Sequence, residues 1–363
     1  MTGIVISAWS ALSPFGHGRA AFADGVRRGV PVDAVSTVDD WATRHARLVP
    51  AFDRIEQLGR KGTSSMDRTT ALAVATVRGL QRDEDGSVLP DPRTGVALGT
   101  TSGSARTQFE FTRDSLTRRK PYFVNPAQMP FALMNSAAAQ CASWHGLTGP
   151  NSTIAAGRVA GPAVLRYAAR LLRTGRATGV FAGAVEEHSG ARELLERGAG
   201  NTAVLGEGCA LLFLQTTAAG NRPALAEVVA LDTRLAVDGE PRRALVECLR
   251  GAMATGGFTA ADVWGHASSA TDQELSEVEH EAAGEVLGQQ VGTVVVPGQL
   301  IGDTGAASGV FGLVALLSLA EVDTSARGRL AVVTSVDRDG MVGCVVIRLT
   351  GGSGPGSEDP GKG

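Results

Sequence analysis

Gly146-Leu147-Thr148-Gly149-Pro150-Asn151-Ser152-Thr153-Ile154-Ala155-Ala156-Gly157-Arg158-Val159-Ala160-Gly161-Pro162 is the stretch that decides how this chain is read. Gly146 and Pro150 stop a helix of small residues, Ser152–Ala156 is a short strand, and Gly157 and Gly161 bracket a sharp turn. Pro162 falls in the first turn of the next helix, where its missing N–H costs nothing. Along that helix Val164, Ala168 and Leu172 share one face while Arg166, Arg170 and Arg173 share the other. Strand, glycine-flanked turn and helix N-terminus together make an elbow. The turn lifts one side chain, and the helix end offers N–H donors and positive potential to an anion. Here the lifted residue is Arg158, a permanent cation that cannot attack a carbonyl.

Outward from the elbow the pattern alternates strand and helix. Strands are predicted over Gly3–Ala8, Thr94–Leu98, Thr178–Val185 and Cys209–Leu214. Helices are predicted after the cap Asp67, over Phe109–Arg119 and over Ala132–Trp144. After Asn221 the pattern restarts: strand Ala224–Ala230, helix Pro241–Ala254, a strand into Trp264-Gly265-His266, and strand Thr293–Val296. The turn Gly302-Asp303-Thr304-Gly305 opens a helix to Ala320, and strands Arg329–Val336 and Met341–Leu349 follow. This is a duplicated α/β fold with buried central strands, its halves at 1–220 and 221–350, and a disordered tail at 351–363.

Composition narrows the function. With 43% hydrophobic and 20% charged residues the chain can bury a large core, and a net charge of −3 without a basic stripe argues against nucleic acid. The 4 cysteines form no CxxC pair or His/Cys cluster, so neither structural zinc nor a disulfide framework is expected. No basic segment precedes the first apolar run and no stretch has a membrane span's length, so a soluble, cytoplasmic chain is expected. Cys141 reads as core or interface packing, and Glu277, Glu279 and His280 as a solvated helix face.

Several motifs in order resemble the β-ketoacyl synthase family over about residues 1–350. They are Ser13-Pro14-Phe15-Gly16, Met66-Asp67-Arg68, Gly146–Asn151, Ala182-Gly183-Ala184 and Gly206-Glu207-Gly208. The resemblance implies a thiolase-like five-layered αβαβα fold built as a dimer. It also implies a Cys that attacks an acyl thioester and two His that assist malonyl decarboxylation. The Cys position falls on Arg158, the first His on His266 and the second on Asp303. The usual lysine falls on Gly298, and a glycine-rich gating loop is replaced by Asp337–Val342. Without a nucleophile an acyl-enzyme cannot form, so no catalytic residue, cofactor or metal is expected. A buried guanidinium needs a partner, and Arg158 is predicted to pair with Asp303, or with Asp337 or Asp339, as a structural plug. His266 is predicted to be a packed histidine bonded near Asp303 or Ser268.

Phe109-Glu110-Phe111-Thr112-Arg113-Asp114 also resembles the chain-length factors, the inactive partners of ketosynthases in type II polyketide synthases. That resemblance implies a heterodimer with a ketosynthase α-type subunit and a tunnel for a chain carried by the phosphopantetheine of an acyl carrier protein. Phe109, Thr112 and Leu116 would line that tunnel. Trimmed segments at 187–206 and 232–240 resemble the short forms that partner ketosynthases making reduced or polyene chains. Arg113, Arg118, Arg119 and Lys120 read either as a solvated helix end or as a meeting point for an acidic carrier protein. Two other readings stay open: a divergent thiolase-fold acyltransferase or malonyl decarboxylase using His266, and a homodimeric acyl-binding protein.

Overall fold

A computed structural model describes residues 3–38, 43–82, 91–218, 222–288 and 291–350; the predicted tail at 351–363 lies outside them. The first half supplies strands β1 (Ile4–Ser13), β2 (Gly95–Thr100), β3 (Asn151–Ala155), β4 (Gly179–Glu186) and β5 (Gly208–Thr216). The second supplies β6 (Ala226–Leu235), β7 (Val263–Ser268), β8 (Thr293–Val295), β9 (Leu330–Val336) and β10 (Met341–Leu349). They run in the order β8-β7-β9-β10-β6-β1-β5-β4-β2-β3. Within each half the pattern repeats: β1, β5 and β4 pair antiparallel, then β4, β2 and β3 parallel, and β6, β10, β9, β7 and β8 do the same. Between the halves, β1 meets β6 at Val5/Glu227 and Ile6/Ala226.

The strands alternate their side chains between two cores, as a pleat requires. Ala97 faces the central core, while Val96 and Leu98 face an outer one. The helices that matter are α1 (Gly18–Arg28), α2 (Arg68–Arg82), α3 (Ala105–Thr117), α4 (Ser136–His145), α5 (Ala160–Arg173), α6 (Gly190–Gly198), α7 (Pro241–Gly256), α8 (Gln273–Leu287) and α9 (Ser308–Ala320). α1, α5 and α9 fill the centre between the two halves' strands. α2 and α4 cover the outer face of the first half, and α7 and α8 that of the second. The result is the five-layered αβαβα order. α9 shows why: its sequence SGVFGLVALLSLA is apolar all round, so it suits only a middle layer buried on every side. α5 and α9 meet at glycines, since a Cβ on Gly161 would stand 3.4 Å from the Gly309 Cα.

Strands β1 and β6 run on to Ser13 and Leu235, past the predicted ends at Ala8 and Ala230, and two helix starts move. α3 begins at Ala105 rather than Phe109, because Ser104 caps it by accepting from the Thr107 N–H. α4 begins at Ser136 rather than Ala132, and Pro126–Ala132 is a 3₁₀ turn containing Pro130. The four cysteines are buried free thiols, Cys141 among them in the α2/α4 core. No described helix is long and apolar enough to cross a membrane.

Candidate functional site

The site lies where the two halves' inner helices begin. β3 runs into the Gly157–Val159 turn and then α5; β8 is followed by the Gly305–Ala307 turn and then α9. At Gly157 φ is +46°, and an added Cβ would fall 1.8 Å from an Asp337 carboxylate oxygen, so only glycine fits there. That same oxygen, Oδ2, accepts the Arg158 backbone N–H at 2.6 Å. The elbow is therefore closed from above by the loop that begins at Asp337.

The Arg158 side chain turns inward and is 3% exposed. Its guanidinium donates to both oxygens of the fully buried Asp303, to Oδ1 at 2.7 Å and also to Oδ2. Asp303 accepts further from Asn201 Nδ2 at 2.6 Å and from the Gly305 N–H at 2.9 Å. Arg192, also buried, donates to three carbonyls from three segments: Glu187 at 2.9 Å, Gly206 at 2.8 Å and Asp303 at 3.0 Å. Burial alone would raise the Asp303 pKa, but the Arg158 charge and hydrogen bonds overcome it and hold the carboxyl well below the usual carboxylate range. Burial alone would likewise lower the Arg158 pKa, and Asp303 more than reverses that. The pair stays ionised on both sides. Asp337 takes its hydrogen bond from the Arg158 backbone and feels the guanidinium through its charge, while Asp339 instead accepts from the Met341 N–H at 2.9 Å.

His266, on β7, is bonded neither to Asp303 nor to Ser268; its Nε2 lies 2.9 Å from Thr334 Oγ1 on β9. The parallel register sets Ser268 beside Thr334, which brings that hydroxyl within reach of the imidazole. Burial, with the nearby His280 adding to it, lowers the His266 pKa to about 4, so it is neutral near pH 7. Ser268 is taken by Glu279, which is fully buried instead of solvated. Glu279 also accepts from Ser269 Oγ at 2.9 Å and the Ala270 N–H at 3.1 Å, and burial pushes its pKa up to about 8. His280 and Glu277 do lie on the exposed face.

Beside the elbow is a cavity of about 150 Å³ lined by Thr101, Arg158, Glu196, Asp337 and Arg338 among others. That is below the ~300–1,000 Å³ of ordinary ligand pockets. Of the three residues predicted for a tunnel, Phe109 is half-buried, Thr112 is exposed, and Leu116 is 80% exposed. They form an outward stripe on α3. The shared motifs meet in one network: Asp67 caps α2 by accepting from the Thr70 N–H at 2.9 Å. Arg68 donates to Glu207 at 2.7 Å, and Glu207 also accepts the Val49 N–H at 2.9 Å.

Sequence reasoning missed Asn201, Arg192, Glu186 and Glu187. The available signal was two consecutive glutamates ending an otherwise apolar strand, Gly179–Glu186, with arginine and asparagine in the trimmed segment behind it. Charges so placed need buried partners.

The family description "Beta-ketoacyl synthase, N-terminal domain" matches residues 1–219. A 3-oxoacyl-[acyl-carrier-protein] synthase 2 from Vibrio harveyi is 28% identical over 194 residues, 51% of this chain and 46% of that protein. The tetracenomycin polyketide synthase ketoacyl synthase alpha subunit of Streptomyces glaucescens is 27% identical over 193 residues, 50% of this chain and 45% of that protein. The matched segment thus spans about half the length of these relatives. Among solved structures, the ishigamide ketosynthase/chain length factor is 41% identical, with a TM-score of 0.91 over 96% of this chain and 100% of that one. A chain in the solved complex of a type II polyketide synthase acyl-carrier protein with its ketosynthase shares the fold, at 17% identity and a TM-score of 0.79, with 96% of this chain and 100% of that one covered.

Proposed function

The chain belongs to the β-ketoacyl synthase family, and from that premise we propose that it is the non-catalytic chain-length factor of a type II polyketide synthase. It pairs with an active ketosynthase subunit and walls the tunnel that receives the growing chain. One observation carries the reading: the elbow residue is a cation already held on both terminal nitrogens by a buried aspartate. Neither a nucleophile nor a free charge is left there, and the family's acyl-enzyme chemistry needs the first. The 41% identity with the ishigamide ketosynthase/chain length factor over nearly the whole chain supports the same role.

Two surfaces support the partners. Leu116, Tyr122, Phe123, Met129, Leu133 and Met134 are all exposed, and the neighbouring edge strand β3 leaves one side without a strand. Six large apolar side chains left exposed within residues 116–134 suit an obligate subunit interface. Arg118, Arg119 and Lys120 follow at the end of α3, all exposed, where an acidic acyl carrier protein would find complementary charge. With Phe109, Thr112 and Leu116 on the tunnel wall, product length is set sterically. Each extra CH₂ buried gains about 0.8 kcal/mol until the wall is reached, and overpacking then costs about 1–3 kcal/mol.

Co-expression with a type II ketosynthase of the same biosynthetic system, followed by size-exclusion chromatography and product mass analysis, tests this. A 1:1 complex making a defined chain is the expected result. A covalent acyl adduct on this chain alone, after incubation with an acyl thioester, sinks the proposal.

A further inference from the structure

The helix α3 on which the proposed tunnel residues stand is half-buried along most of its length and fully buried only at its start. Of its 13 residues only Ala105 and Thr107, both in the first turn, are buried. The fully buried hold on this helix is therefore at its start. The first turn of any helix leaves N–H groups without intrahelical partners, and these are where an external carboxylate can hold it.

The structure supplies one. Glu187, 2% exposed, follows β4 and directs its carboxylate to the head of α3. Its Oε1 accepts the Ser104 hydroxyl at 3.1 Å and the Arg106 N–H at 3.2 Å. Ser104 in turn accepts the Thr107 N–H at 3.2 Å, so the cap and the carboxylate satisfy successive first-turn donors. The preceding turn is tied the same way by the adjacent Glu186, which accepts the Thr100 hydroxyl at 3.1 Å and the Thr101 N–H. The Gly103 N–H closes the turn onto the Thr100 hydroxyl at 3.0 Å. The charged groups around Glu187 are Asp67 and Arg68 at the head of α2, with Arg192 of α6 on its carbonyl at 2.9 Å. Beyond the first turn, α3 has the Gln128–Glu110 hydrogen bond at 3.3 Å to the neighbouring 3₁₀ segment.

We infer that Glu187 is the positioning residue of α3: by holding the Ser104 hydroxyl and the Arg106 N–H it sets where Phe109, Thr112 and Leu116 stand. The inference deepens the proposed function and rests on it for its link to product length; the anchoring itself does not depend on that reading.

The test is hydrogen exchange on the co-purified complex, together with its product distribution, for Glu187→Ala and Glu187→Gln. Glutamine keeps an oxygen that can accept both bonds. Glu187→Ala should speed exchange of the amides of residues 105–109 by about tenfold, the loss expected for a missing cap. Glu187→Gln should restore their protection, and only the alanine variant should broaden product length. Unchanged protection in Glu187→Ala overturns the inference, as does a glutamine variant that exchanges as fast as the alanine one. Lost protection with unchanged product length upholds the anchoring and instead removes α3 from the tunnel wall. Should Glu187→Ala yield no soluble complex, Glu187→Asp, which leaves Ser104 in place but draws the carboxylate back by one methylene, carries the same test, with faster exchange upholding the anchor and unchanged exchange overturning it.

Discussion

Asp303→Ala isolates the closed elbow, because it removes one half of a buried pair and leaves the other in place. Arg158 is 3% exposed and Asp303 is fully buried, so the orphaned guanidinium cannot simply turn to water. Breaking such a pair costs about 3–5 kcal/mol. The Asn201 and Gly305 hydrogen bonds to the same carboxylate are lost with it, which favours the upper end of that range. Against a total stability of about 5–15 kcal/mol, this is a large fraction. The companion variant Arg158→Met/Asp303→Leu removes both charges and keeps much of the volume. It should be neutral or more stable by about 1–4 kcal/mol, since desolvating two ions offsets most of what their attraction returns. Urea unfolding of the purified subunit reads both, as the shift in the first transition's midpoint at unchanged slope. The reasoning fails if the single variant loses less than about 1 kcal/mol, or if the double variant falls as far as the single one. There is also a pH signature. The Asp303 carboxyl is held below its ordinary value of 3.8, so it contributes stability above that pH and loses it as pH falls further. Asp303→Ala should lack this acid-side loss.

Three further outcomes are expected. Glu279 has its pKa raised from 4.5 to about 8, so the folded chain binds its proton more tightly than the unfolded one and stability declines between those pH values. Glu279→Gln should abolish that decline and be more stable at pH 9 by a few kcal/mol, seen as a higher melting temperature at pH 9 but not at pH 4. Arg158→Cys restores a thiol without restoring a histidine at position 303, and the kept His266 is already bonded to Thr334; intact-mass analysis after an acyl-thioester challenge should find no adduct, and stoichiometric acylation would refute the account. Leu116→Trp, at an 80% exposed position, should leave the subunit's own stability within about 0.5 kcal/mol while shortening the product of the complex, read by mass spectrometry.

The α/β alternation was legible because its signals are local. Glycine turns, small-residue helices and apolar runs recur in both halves, and the strand order of each half repeats as the sequence pattern suggested. Helix starts moved by about a turn because capping decided them: Ser104 reaches the Thr107 N–H, and Asn125 opens the 3₁₀ turn that delays α4. The Arg158–Asp303 contact was legible for a different reason, which is electrostatic necessity: a cation in a turn designed to be buried demands an anion. The partner of His266 was not legible. A neutral imidazole accepts any hydroxyl, and choosing Thr334 over Ser268 requires the β7/β9 register. Glu279 misled for the opposite reason. It sits in an acidic run, and helical spacing alone did not reveal that its face of α8 turns inward onto Ser268 and Ser269.

On the proposed function, the place of Arg158 and Asp303 in the fold explains why the family's chemistry would be given up as a set. Arg158, Arg192 and Asn201 come from the first half, Asp303 and Asp337 from the second, and their bonds cross the seam between the halves, where the backbone of Asp303 also bridges to Leu205. A single ionic substitution at such a seam is costly: Arg158 alone is an unpaired buried cation, and Asp303 alone an unpaired buried anion. Together they are satisfied, and the seam gains a clamp where a reactive centre would need a free side chain and an open gate. His266 lies outside that clamp, neutral and bonded to Thr334, so on the same proposal it supplies no base to position 158. A graded return of catalysis is therefore not expected from single reversions. Any one of them reopens an unpaired charge before it completes a nucleophile and its base, which makes the complete set of Cys at 158, His at 303 and an uncharged gate at 337 the smallest change with chemical sense.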